Sequence, residues 1–190
     1  YAVTSDLEYR LETDLSDEVR QRTTNLPSGS NPRARELANL LYAAATSDAD
    51  YVNRVLIYYA DEEFVYTLAP PVLGDNDIDE FLFDSQRGFC EHYAGSFVFM
   101  MRTAGIPARI VLGYQGGEYN ALANYIAVHQ FDAHSWAEVW YEGRGWVRVD
   151  PTRMVSPERI QRGLESAVAD ENTFLANSPL SWLKYRQLLW

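Results

Sequence analysis

The apolar rhythm of the chain changes once, near residue 105, and that change does most to limit the fold. From Cys90 to about residue 104, Ala94, Phe97, Val98 and Met101 recur at helical spacing until Gly105-Ile106-Pro107 stops the run. Runs rich in β-branched and aromatic residues follow at 109–114, 125–129, 135–141 and 146–150. Gly143-Arg144-Gly145 separates the last two and predicts a hairpin. Helices first and a mostly antiparallel sheet afterwards make an α+β domain, with one buried helix packed on the sheet.

Upstream of Cys90 the signals are mostly helical. Residues 1–30 alternate charged and apolar positions without helical period and break at Leu26-Pro27-Ser28-Gly29-Ser30, which reads as an extended arm and linker. Asn31-Pro32 predicts an N-cap with proline in the first helical position, and Leu37, Leu40, Leu41 and Ala44 continue that helix. A second helix, capped by Ser47 or Asp48, carries Val52, Val55, Leu56 and Tyr59. Phe64, Tyr66 and Leu68 alternate as in a strand, residues 77–83 suggest a short helical turn, and Ser156-Pro157-Glu158 caps a further helix.

The net charge of −11 is concentrated in residues 1–95, which hold 18 acids and 7 bases; residues 96–190 hold 9 of each. Such a chain repels nucleic acid and anionic lipid. The acidic half reads as a solvated face rather than a docking surface. No apolar run is long enough to cross a bilayer, and no signal-peptide pattern opens the chain. The apolar end at Leu188-Leu189-Trp190 suggests a helix cut short, hence a piece of something longer.

Cys90 is the single cysteine, so no internal disulfide exists. Gly88 permits a sharp turn, placing Cys90 in the first turn of its helix, where free N–H groups and the helix dipole stabilise a thiolate. The alternative is an inert buried thiol, a common fate of free cysteine. A nucleophile needs a base, and the base an orienting partner. His92 is two residues along the helix, rotated by about 200°, and faces away. His134 begins His134-x-Trp136-x-Glu138, three residues of nominally one strand face. The hairpin returns Asp150 to the region of His134, where a carboxylate can hold the imidazole, and Pro151 ends that strand. His129 has no acid so arranged, although Asp132 is near. The spacing of His129 and His134 fits no common metal site.

These residues resemble a known family. Gly88-Phe89-Cys90, Gly105-Ile106-Pro107-Ala108-Arg109, His134-x-Trp136-x-Glu138-x-Trp140 and Gly145-Trp146-x3-Asp150-Pro151-Thr152 together are similar to the transglutaminase-like superfamily, over roughly residues 78–155. With Phe81-Leu82-Phe83 and Glu91-His92-Tyr93-Ala94 added, the string resembles more narrowly the TgpA type. Those are bacterial inner-membrane proteins that carry such a domain on the periplasmic side. The resemblance implies a papain-like fold with the nucleophile at a helix N-terminus. It also implies a triad of Cys90 (nucleophile), His134 (base) and Asp150 (orienter), and no cofactor or metal. The division expected is an arm at 1–30, a catalytic domain at 31–165, and a helical tail at 166–190 leading into the rest of a longer protein. The implied reaction is transfer of a glutamine acyl group, through a Cys90 thioester, to a primary amine. The partners would then be a glutamine-containing protein or peptide and an amine acceptor. The domain would be soluble, periplasmic and tethered to the membrane by flanking segments.

The sequence departs from the animal enzymes in one respect. Their oxyanion is steadied by a tryptophan well upstream of the cysteine, whereas the first tryptophan here is Trp136. The Cys90 N–H then needs another donor, with Gln86 and nearby tyrosines as candidates. Trp136 and Trp140 are candidates for sheltering a thioester or for core packing. No EF-hand-like loop supports calcium activation. Two other functions stay open: a cysteine peptidase or amidase acting on the cell envelope, and a non-catalytic binding or spacer domain. Lys184 is the sole lysine, so few amine acceptors for self-cross-linking are expected.

Overall fold

The computed structural model describes residue 4 and residues 9–162. In chain order the helices are α1 (Asp17–Thr24), α2 (Pro32–Ala43), α3 (Asp48–Asp61), α4 (Asp77–Glu80), α5 (Cys90–Thr103), α6 (Thr152–Val155) and α7 (Pro157–Arg162). The strands are β1 (Val65–Tyr66), β2 (Arg87–Gly88), β3 (Ala108–Tyr114), β4 (Glu118–Asn120), β5 (Tyr125–Ala127), β6 (Ala133–Tyr141) and β7 (Gly145–Val149). The expected helical tail at 166–190, with Lys184, lies outside the described residues.

Helix α5 is the centre of the molecule. Tyr93, Ala94, Phe97, Met100 and Met101 are fully buried, and Val98 and Phe99 nearly so, so the helix is apolar almost all round. One side packs on β6 and the other on α2 and α3. The polar Ser96 is tolerated within it because its hydroxyl donates to the His92 carbonyl at 2.7 Å and meets the Tyr59 hydroxyl at 2.7 Å. Tyr59, Phe64, Phe81 and Tyr93 close the core with ring centroids 5.1–6.0 Å apart, mostly edge to face.

The main sheet has the order β3-β6-β7 and is antiparallel throughout. The hairpin predicted from Gly143-Arg144-Gly145 forms, with Tyr141 opposite Gly145 and Ala137 opposite Val149. The strand expected at 125–129 is shorter and lies elsewhere. It pairs with β4 in a separate two-stranded ribbon between β3 and β6. The strand expected around Phe64–Leu68 shrinks to two residues, which pair in parallel with β2: Tyr66 lies opposite Gly88.

Two expectations about the N-terminal part are corrected. Residues 17–24 are helical, capped by Ser16, rather than part of an extended arm. The segment before them straps the β6–β7 hairpin: Leu11 O accepts from Trp146 N at 2.9 Å, and Glu12 O from Trp140 Nε1 at 2.7 Å. Gly145 is required at this crossing, because a Cβ there would run into the Leu11 carbonyl.

The second correction is a cap. Asn31 does not cap its own helix; it has φ 52° and its Oδ1 accepts from the Ile78 and Asp79 N–H groups, at 3.0 and 3.1 Å, at the start of α4. In return the buried Asp79 accepts from the Arg33 and Ala34 N–H groups at 3.0 and 2.7 Å and caps α2. Each helix start is thus satisfied by a side chain from the other.

Candidate active site

The approach to Cys90 is built from tight local geometry. A single π-helical turn, Phe81–Ser85, follows α4 and ends at Gln86 with φ 50°. Next comes β2, held against β1 by Val65 N to Gln86 O and Thr67 N to Gly88 O, both 2.8 Å. Gly88 must lack a side chain: a Cβ would stand 2.7 Å from His92 and 2.9 Å from Phe81. Phe89 is then the N-cap and Cys90 the first residue of α5. His92, rejected as a base from helical rotation, has a different task. Its Nδ1 accepts from the Phe89 N–H at 3.3 Å and so steadies the helix start.

On the sheet, Ser135, Ala137 and Val139 of β6 are buried, and His134, Trp136, Glu138 and Trp140 alternate with them. His134 is 3% exposed. The last pair of the β6–β7 ladder is Ala137 with Val149, so Asp150, one residue further, is a diagonal neighbour of His134. Their side chains meet at Nε2–Oδ2 2.8 Å. Arg148 Nη2 approaches the same oxygen at 3.4 Å and also donates to Gln115 Oε1 at 2.8 Å.

The other ring nitrogen of His134, Nδ1, is buried and lacks a formed hydrogen bond, as does Ser135 Oγ. Both residues border the same cleft as Cys90. The thiol is close enough for the groups to perturb one another. Burial pushes the Cys90 pKa up, but the polar groups of His134 and Ser135 beside the thiol and the imidazole charge outweigh it, and the net shift is downward. Burial pushes His134 down, but Asp150 and then the thiol outweigh it, and the net shift is upward. The two shifts together favour a thiolate facing an imidazolium.

The cleft has a volume of about 440 Å³ and is bordered by Tyr66, Leu68, Phe89, Leu112, Gly113 and Tyr114 as well as Cys90, His134 and Ser135. It is mostly apolar around one reactive group. Trp136 stacks near His134, at 6.2 Å and 26°, beneath the Arg148 guanidinium at 4.1 Å; Trp140 instead packs under Arg20 and the N-terminal strap. Of the two tryptophans, Trp136 is therefore the one beside the site. His129 stacks on Phe131 and does not border the cleft. Gln86 does not border it either, whereas Tyr66 and Tyr114 do.

A model of the transglutaminase-like superfamily matches residues 8–151. The chain belongs to that superfamily. The match takes in Leu11 and Glu12, whose carbonyls accept hydrogen bonds from the hairpin. The whole chain is 49% identical to a protein-glutamine gamma-glutamyltransferase of Pseudomonas aeruginosa, 28% of whose length it covers. It is 35% identical over 149 residues to the uncharacterized protein YebA of Bacillus subtilis, covering 75% of this chain and 20% of that protein. Among solved structures, the periplasmic domain of TgpA from Pseudomonas aeruginosa is similar at a TM-score of 0.80 and 51% identity. That likeness covers 82% of this chain and 54% of the other. The chain thus spans about a quarter of the length of the curated relatives it matches and about half of the solved domain. Its fold is transglutaminase-like, as the resemblance implied.

Two features of this transglutaminase-like site escaped the sequence. The strap had no signal because its contacts are made largely by backbone carbonyls. The buried Arg159 of α7, 1% exposed, lies in the mostly polar run Pro157-Glu158-Arg159-Ile160-Gln161-Arg162 and left no signal of its burial.

Proposed function

We propose that this chain is the catalytic domain of a protein-glutamine gamma-glutamyltransferase, with Cys90 as nucleophile, His134 as acid and base, and Asp150 as orienter. The supporting observation is the buried His134–Asp150 pair, whose second ring nitrogen is unpaired beside a thiol at the N-terminus of a 14-residue helix. The names of the similar Pseudomonas aeruginosa proteins supply the substrate class and the compartment: a glutamine-bearing donor, in the periplasm. No helix among the described residues is long and apolar enough to cross a membrane.

The Cys90 thiolate attacks the carbonyl carbon of a glutamine side chain, and the carbonyl electron pair moves to oxygen. His134 Nδ1 gives its proton to the departing amide nitrogen; the C–N bond breaks, ammonia leaves and a thioester remains. A primary amine then attacks the thioester and yields its proton to the same nitrogen. The C–S bond breaks and the thiolate returns. Throughout, Asp150 holds Nε2–H and keeps the ring aimed at the sulfur. The apolar cleft wall limits the water that competes with the amine.

Product analysis of a glutamine peptide, with and without a primary amine, tests this reading. An amine adduct that disappears in Cys90→Ala is expected. Deamidation alone in the presence of saturating amine would make the domain a hydrolase, and a cut backbone would make it a peptidase.

A further inference from the structure

We propose that Tyr66 is the second oxyanion donor of this site and that Arg159, buried behind it, is the residue that positions and polarises it. This rests on the acyl-transfer reading above and adds to it the group that receives the negative charge.

The placement follows from the backbone. β1 is short, but its parallel pairing with β2 locks Tyr66 opposite Gly88, two residues before the nucleophile. Tyr66 is 8% exposed, borders the cleft with Cys90, and its ring lies parallel to that of Tyr93 at 6.4 Å. Its phenol is near enough to the start of α5 to be influenced by the Cys90 sulfur and the Cys90 backbone N–H. Because its neighbours on both strands are hydrogen-bonded into the ladder, Tyr66 is held on a fixed support rather than on a loop.

Arg159 is an unusual residue to bury. Its Nη2 donates to Ala133 O at 2.8 Å and its Nη1 to Gln115 O at 3.2 Å. Among the described residues no carboxylate pairs with it, and its Nε is buried without a hydrogen-bond partner. An uncompensated buried cation costs stability and calls for a reason. Here it is close enough to Tyr66 to act on the phenol, which also feels the Cys90 sulfur and the Cys90 backbone N–H. Burial, followed by the thiolate charge, pushes the Tyr66 pKa up to about 12, so the hydroxyl keeps its proton at neutral pH and remains a donor.

When the thiolate adds to a carbonyl, the new C–O⁻ lies over the helix start. The Cys90 N–H and the Tyr66 O–H donate to it without transferring a proton, and the fixed guanidinium behind the phenol opposes the growing charge. When the tetrahedral species collapses, the charge returns to the C=O bond. Donors fixed in advance in a site that excludes water are the strongest form of such stabilisation. The same arrangement accounts for the missing upstream tryptophan.

The test uses two reactions of the same thiol. Acylation by p-nitrophenyl acetate builds an oxyanion; alkylation by iodoacetamide, a displacement at saturated carbon, does not. Tyr66→Phe removes one oxygen and keeps the ring. It is expected to slow the p-nitrophenol burst by about 10²-fold, while the alkylation rate and its pH profile stay as in the wild type. Arg159→Lys cannot reach two carbonyls and the phenol at once. It is expected to slow the burst in the wild type but to add little in the Tyr66→Phe background. An unchanged burst in Tyr66→Phe overturns the proposal, as does a parallel fall in burst and alkylation. Equal slowing by Arg159→Lys in both backgrounds overturns the role of Arg159. A wild type that alkylates but gives no burst would instead overturn the acyl-transfer reading itself.

Discussion

His134 Nε2 meets Asp150 Oδ2 at 2.8 Å, and the opposite nitrogen of the same ring is buried with no formed hydrogen bond on the side of the cleft where Cys90 stands. One imidazole edge is thus committed and the other left free to exchange a proton with sulfur.

The Cys90 thiol is acidic because of His134. The Cys90 pKa is lowered and that of His134 is raised, and both shifts favour a thiolate facing an imidazolium. Alkylation by iodoacetamide should therefore remain fast well below the ordinary cysteine pKa of about 8.5. In His134→Ala the lowering influence of the imidazole is lost and burial remains, so the profile should move to higher pH. His92→Ala and His129→Ala should leave it in place. An unchanged profile in His134→Ala would remove His134 from the base role.

Asp150→Asn keeps the shape but can present an amide to the wrong tautomer. In a serine triad the corresponding change costs about 10⁴-fold in kcat. A smaller loss is expected here, because the thiolate–imidazolium pair is already favoured in the resting site. Steady-state turnover with a glutamine peptide measures it, with circular dichroism confirming the fold. Wild-type turnover in a folded Asp150→Asn protein would exclude Asp150.

The crossed caps at Asn31 and Asp79 matter for stability rather than for chemistry. Asp79→Ala strips the two acceptors at the start of α2 and should cost about 1–2 kcal/mol. That corresponds to a fall in Tm of roughly 2–8 °C for a domain of this size. Calorimetry checks the value, and the alkylation profile of Cys90 should not move. An unchanged Tm would mean that water serves those N–H groups equally well.

The helix opened by Cys90 and the hairpin carrying His134 and Asp150 were legible in the sequence for physical reasons. A helix buried all round and a Gly-rich turn between alternating runs leave strong periodic signals. α1 left none: in Asp17–Thr24 the sole aliphatic residue is Val19, and Thr23 is the residue it buries. The cap exchange between Asn31 and Asp79 joins residues 48 apart and has no local pattern. β1 pairs over two residues in parallel, too few for alternation to register, and so the position of Tyr66 beside Cys90 came only with the fold. The ribbon of β4 and β5 exposes Tyr119, Tyr125 and Ile126, which the sequence alone could equally have assigned to the core.

The most direct measurement of the central claim is intact-protein mass spectrometry of the wild type, acid-quenched during reaction with a glutamine peptide and no amine. The account predicts a species heavier by the peptide less ammonia, bound at Cys90, discharged by neutral hydroxylamine and absent in Cys90→Ala. Turnover that persists in Cys90→Ala, or amine-dependent product formed with no acyl group ever found on Cys90, would contradict it.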